Sequence, residues 1–128
     1  MSMFESLNKN FESPFERAKL FDDVEFLSLG DCYENFADCL MVVHGFWLNP
    51  KSKFGTHGVA MVEIVREDDS NVFLNLSLPQ HCNTMIEAIL SNDEYIKGIN
   101  AGACGAKMVK YTAKKYNKDC YTIRLMDI

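Results

Sequence analysis

No stretch of this sequence approaches the roughly 18 consecutive apolar residues that a membrane-spanning helix needs. Proline is scarce, at three residues, and the seven glycines are scattered, which excludes collagen-like and long disordered tracts. The opening Met1-Ser2-Met3-Phe4-Glu5-Ser6 has no basic segment followed by an apolar one, so no secretory signal is expected and a cytoplasmic setting is. The five cysteines, at 32, 39, 82, 104 and 120, are odd in number and lack the closely spaced pairs of a zinc site. Cys32, Cys39 and His44 lie near one another in sequence, as do His81 and Cys82, but the spacing favours free thiols and no metal.

Phosphate-binding P-loops and dinucleotide fingerprints are missing too. No serine or cysteine has a histidine and a carboxylate at a recognisable family spacing, so a non-catalytic protein without a cofactor is expected. Gly102-Ala103-Cys104-Gly105 matches a GxxG string but holds no basic residue, and reads as helix termination.

What is present is a chain of 128 residues with 48% hydrophobic content, enough to build one domain around its own core. Its net charge of −5 is unevenly spread: residues 1–96 carry −10 and residues 97–128 carry +5. An acidic body with a basic end keeps nucleic acid open as a partner, where a uniformly acidic chain would not.

Residues 1–26 read as a helical extension, with Pro14 at a first turn and Phe15, Ala18 and Phe21 or Leu20 as an apolar stripe. The core, residues 27–128, begins with a short strand near 26–29. The run 39–48 is apolar on both faces, as in a central strand. Residues 58–66 are β-rich, with Val59, Met61 and Val65 on one face and Val62 and Ile64 on the other, and residues 72–78 alternate, with Val72, Leu74, Leu76 and Leu78 inward and Phe73, Asn75 and Ser77 outward. Pro79 opens a helical stretch to residue 99, in which Ser91-Asn92-Asp93 caps a second short helix. Strands at 106–112 and 120–127 close the chain, with Ile123 and Leu125 in the core and Thr122 and Arg124 outward. This order, β-β-β-α-β-β, predicts a β-rich α+β fold: an OB-like five-stranded antiparallel barrel with an N-terminal helical extension. An α+β sandwich with the same order is the rival.

In an OB barrel the loops after strands 1 and 4 flank the binding groove. Here these are residues 49–57, with Lys51, Lys53 and Phe54, and residues 113–119, with Lys114, Lys115, Tyr116 and Lys118. Each joins lysines to an aromatic ring, the pairing that meets phosphates and stacks on bases without demanding a sequence. Phe73 and Arg124 extend that candidate nucleic-acid site over the strand faces.

The segments Gly45-Phe46-Trp47-Leu48-Asn49 with Lys53-Phe54-Gly55, Val72-Phe73-Leu74-Asn75-Leu76 with Leu78-Pro79-Gln80-His81, and Tyr111, Lys115-Tyr116 and Cys120-Tyr121 resemble small OB-like single-stranded DNA-binding proteins of Gram-positive phages and prophages. The resemblance covers residues 26–128 and implies an accessory role in replication or recombination, with single-stranded DNA as partner. The long acidic tail of bacterial single-strand binders is missing, so recruitment of repair enzymes by a tail is not implied. Dimerisation would lengthen the basic track. The acidic first 96 residues support an alternative: a mobile-element inhibitor of the anti-CRISPR or anti-restriction type, binding a protein partner through its acidic surface.

Overall fold

The computed structural model describes residues 14–37, 39–49, 55–66, 71–113 and 118–128. The elements are β1 (Phe26–Ser28), α1 (Leu29–Phe36), β2 (Met41–Asn49), β3 (His57–Val65), β4 (Asn71–Ser77), α2 (Asn83–Leu90), α3 (Asp93–Asn100), β5 (Cys104–Ala113) and β6 (Lys118–Asp127). Single 3-10 turns stand at Ala18–Phe21 and Gln80–Cys82. No helix among the described residues is long and apolar enough to cross a membrane.

The strands form one curled sheet, a half-barrel of order β1-β4-β3-β2-β5-β6. The antiparallel meander β2-β3-β4 is as the alternation predicts, because Ala60, Val62 and Ile64 pair with Phe46, Val43 and Met41 on one face and with Leu76, Leu74 and Val72 beyond. That face is the core, where Ile86, Ile89, Leu29 and Cys32 pack from the helices. The β5–β6 hairpin joins the meander at only two residue pairs, Met41 with Ala106 and Val42 with Gly105.

The sheet corrects the five-stranded antiparallel expectation in one respect. It has six strands and is mixed, because β1 runs parallel to β4 with Phe26, Leu27 and Ser28 opposite Asn75, Leu76 and Ser77. A helix unforeseen in the sequence, α1, follows β1 directly. Ser28 is its N-cap and accepts a hydrogen bond from the Asp31 amide at 3.2 Å, which satisfies one otherwise orphaned donor. The helical stretch after Pro79 is a 3-10 turn and two short helices, and Asn92 caps the second by accepting from the Glu94 amide. Gly102, at φ +76°, ends it in the left-handed region where glycine carries no Cβ penalty.

The N-terminal extension is also corrected. Residues 1–13 lie outside the described residues. Residues 14–25 hold only the 3-10 turn and form a strap across the sheet face opposite the helices. Phe15 and Phe21 are buried against that face while Leu20 is 60% exposed, so Phe21 supplies the apolar contact. Asn75 ties the strap down: its side-chain Nδ2 donates to the Phe21 and Val24 carbonyls at 3.0 and 3.1 Å, and its amide donates to the Glu25 carbonyl. Asn100 holds the other end, accepting from the Glu16 amide and donating to the Pro14 carbonyl.

Beyond the helical layer, the 3-10 turn after β4 reaches the edge of β6. His81 Nε2 and Thr122 Oγ1 are 2.9 Å apart, and the Cys82 thiol lies beside the same hydroxyl at 3.9 Å. This bridge links the end of the meander to the hairpin edge.

Candidate nucleic-acid interface

Strand alternation divides the β5–β6 hairpin into two faces. Ala106, Met108 and Ile123 point to the core. Lys110 and Asp119 share that side further along, with Nζ 3.4 Å from Oδ2. The hydrogen bond and charge of Asp119 hold the Lys110 ammonium above its ordinary pKa. The other face carries Lys107, Val109 and Tyr111 of β5 and Lys118, Cys120, Thr122 and Arg124 of β6. Lys107, Tyr111, Lys118 and Arg124 are exposed there.

The register sets Lys107 directly opposite Arg124. Like charges at opposed positions destabilise a strand pair. No Asp or Glu of either strand shares this face, since Asp119 and Asp127 fall on the core side. Among the described residues neither Lys107 nor Arg124 forms an ion pair. From the Lys107–Arg124 pair to Lys118 the strip runs six residues, about 20 Å at the rise of an extended strand. An uncompensated cationic strip with an exposed tyrosine in its length fits a polyanion that also offers rings to stack upon.

Because Gly105 pairs with Val42, the face that bears the strip is continuous with the outer face of the meander. That face carries Trp47, Met61, Glu63, Phe73 and Asn75, and most of it lies under the strap. The rings of Phe73 and Phe21 meet edge to face at 5.6 Å, so Phe73 is shared between the strap and solvent, at 39% exposure. Trp47 is half-buried and meets the exposed Phe26 ring edge to face at 6.2 Å. The two rings line a recess of about 240 Å³ shared with Ala18 and Asp22.

Where the strap crosses β2, the strand bulges at His44, between the paired Val43 and Gly45. The extra residue places the imidazole under the strap, 4% exposed. A guanidinium only donates, so Arg17 at 3.3 Å fixes Nδ1 of His44 as an acceptor and leaves Nε2–H to donate to Glu63 at 2.9 Å. The second carboxylate oxygen of Glu63 accepts from Asn71. This chain of four polar residues is spent on anchoring the strap.

Of the residues the sequence singled out, Lys118 and Arg124 lie on one face of the hairpin, at opposite ends of the strip. Phe73 is on the continuous face but at the strap's edge. Lys51, Lys53 and Phe54, and Lys114, Lys115 and Tyr116, lie outside the described residues. Lys107 and Tyr111 were not among the site residues expected from the sequence, although Tyr111 belongs to the resemblance. Their signal was the alternation with buried Ala106 and Met108, which puts positions 107, 109 and 111 on the opposite face.

The five cysteines are unpaired. Burial pushes the Cys32 thiol up to about 11, with the neighbouring Cys39 adding to the rise. Burial also raises Cys82, against hydrogen bonds from Thr122 and the Ile123 backbone that lower it. Among the described residues no three of His, Cys, Asp and Glu gather as metal ligands would.

Comparisons with protein-family models, curated proteins and solved structures returned no match to this chain.

Proposed function

We propose that the protein binds single-stranded nucleic acid, DNA in the first instance, along the outer face of the β5–β6 hairpin. The observation that carries this reading is the opposed Lys107–Arg124 pair on a hairpin face to which neither strand contributes a carboxylate. An arrangement that costs the free hairpin stability is relieved when phosphates come between and beside the cations. Tyr111 supplies a ring in the middle of the strip, and two lysines and a further ring, Lys114, Lys115 and Tyr116, follow where the strip ends in sequence. The OB-like reading draws support from the meander, the helical insert, the closing hairpin and the central place of β2 between β3 and β5. A phage-type replication or recombination role rests on the sequence resemblance alone.

The test is an anisotropy titration of labelled single-stranded and duplex oligonucleotides of about 30 nucleotides at several salt concentrations. Affinity for the single strand should exceed that for the duplex and fall with salt, at a log–log slope of about −0.7 per phosphate neutralised. Tyr111→Ala should weaken binding by about 1 kcal/mol or more with the slope unchanged, as the loss of a stacked ring does. Absence of binding at low salt defeats the proposal.

One observation favours a second reading. Asp22, Asp23 and Glu25 are exposed in a row on the strap, beside the exposed Phe26. A protein partner with a basic surface fits that edge, in the manner of the mobile-element inhibitor. Capture of such a partner by a chain that ignores oligonucleotides would replace the first reading with the second.

A further inference from the structure

On the core side of the sheet, α2, α3 and the base of the hairpin enclose an open pocket of about 480 Å³, the size of small-molecule sites. Met85 and Ile89 of α2, Ile99 of α3 and Leu125 of β6 give it an apolar wall. Glu94 and Asp127 are also in the lining, both exposed, and no lysine, arginine or histidine is. Among the described residues neither carboxylate has an ion-pair partner.

A second feature of the same wall is Gly98, in the middle of α3. A Cβ built there would meet no heavy atom of the described residues within 4 Å. Glycine is the costliest residue inside a helix after proline, and nothing in the chain's own packing asks for it here. Its effect is to leave bare backbone facing the pocket, where a ligand can approach more closely than any side chain would allow.

From these observations we infer that the pocket is a binding site for a small organic cation: an ammonium group directed to Glu94 and Asp127, with an apolar body laid on Met85 and Ile89 over Gly98. Charge complementarity selects the ligand class, since an apolar anion would meet two carboxylates and no counter-charge. The site lies across the sheet from the basic strip, so the two carry opposite charges on opposite faces and act independently of each other.

Hexylammonium, hexanol and hexanoate, matched in length, are the probes, followed by amide chemical shifts in 1H–15N spectra of the full chain. Hexylammonium should give saturable shifts at Gly98, Ala103 and Asp127, hexanol weaker ones and hexanoate none. The exposed-site variant Glu94→Gln with Asp127→Asn should weaken hexylammonium about tenfold. Gly98→Leu should abolish binding by filling the approach, while Gly98→Ala, which adds one carbon, should weaken it less. Hexylammonium should also slow alkylation of Cys104, which lines the same pocket. Equal shifts from hexanoate and hexylammonium overturn the inference, as does unaltered hexylammonium binding in the double carboxylate variant. A Lys107→Glu chain binding hexylammonium as the parent does is the expected sign that this site stands apart from the nucleic-acid strip.

Discussion

Replacing Lys107 by Glu separates what the hairpin needs from what the proposed function needs. In the parent, Lys107 faces Arg124 across the strand pair as a like charge. The substitution removes a repulsion and installs a cross-strand attraction. Opposite-charge pairs in such positions contribute about 0.2–1 kcal/mol, and exposure to salt keeps each contribution toward the lower end. The two changes together should stabilise the protein by about 0.5–1 kcal/mol. For 128 residues the unfolding entropy is about 0.27 kcal/mol per degree, so Tm should rise by about 2–4 °C. Binding should move the other way. One phosphate contact multiplies affinity by about 5 at 0.1 M salt relative to 1 M, and its loss makes the salt slope shallower by about 0.7. Reversing the charge adds repulsion to that loss. Arg124→Glu should behave in the same manner. The double variant, Lys107→Glu with Arg124→Glu, restores a like-charge pair, so its Tm should fall back toward the parent value while its affinity drops further. Thermal unfolding and anisotropy titrations on the parent, the two single variants and the double variant complete the cycle. Additive Tm changes would refute the cross-strand coupling, and unchanged affinity in both single variants would refute the strip as the binding face.

Three further outcomes follow from the strap and the thiols. Asn75→Ala removes the side-chain donor from the Val24 carbonyl and one of two donors from the Phe21 carbonyl, which keeps the Val24 amide, and should cost about 1–3 kcal/mol in urea unfolding; less than about 0.5 kcal/mol would mean that water replaces the side-chain amide. In Gly45→Ala the new Cβ would sit 2.7 Å from the Phe15 ring and 2.5 Å from Met61 Cε, so the strap should lift, with a loss of about 1–3 kcal/mol and faster exchange of the Val24 amide. Unchanged exchange there would show that Phe15 yields without releasing the strap. Cys32, held at about 11 against an ordinary 9.0, keeps its proton more tightly folded than unfolded. Its contribution is therefore present below pH 9 and lost as pH rises toward 11, and Cys32→Ala should flatten that alkaline decline in stability; an identical decline in the variant would contradict it.

The meander and the closing hairpin could be read directly because their signal is local. Residues 72–78 alternate with the period of a half-buried strand, and Leu74, Leu76 and Leu78 are buried; Val59 to Val62 and Asn75 are buried on both faces of the sheet, because the strap covers the face opposite the helices. The strap could not be read in this way. Phe15 and Phe21 suit a helical stripe, but what fixes residues 14–25 is tertiary: His44, Asn75 and Asn100, which lie 27, 54 and 84 residues from their strap partners. β1 is three residues long and pairs in parallel, and a strand so short carries too few alternations to give its partner away. In α1 the Ser28 cap was present in the sequence, but Gly30 two residues later weakened the helical pattern. As for the candidate site, outward Arg124 followed from alternation alone. The significance of Lys107 needed the register, which no single strand carries.

The hairpin's attachment at Met41–Ala106 and Val42–Gly105 has a consequence for how the molecule assembles and opens. The meander spans residues 41–77 and the hairpin 104–127, so each completes its pairing within a short stretch of chain, at low loop-closure cost. The junction between them joins residues more than 60 positions apart and must form after both. At that junction a Cβ on Gly105 would lie 3.3 Å from Leu40 Cδ1, just ahead of β2, so the docked pieces sit in close contact. The sheet is thus two locally built units meeting at a narrow seam. In native-state hydrogen exchange the amides of β5 and β6 beyond Ala106 should open together, as one cooperative unit, at a lower free energy than those of β3 at the centre of the meander.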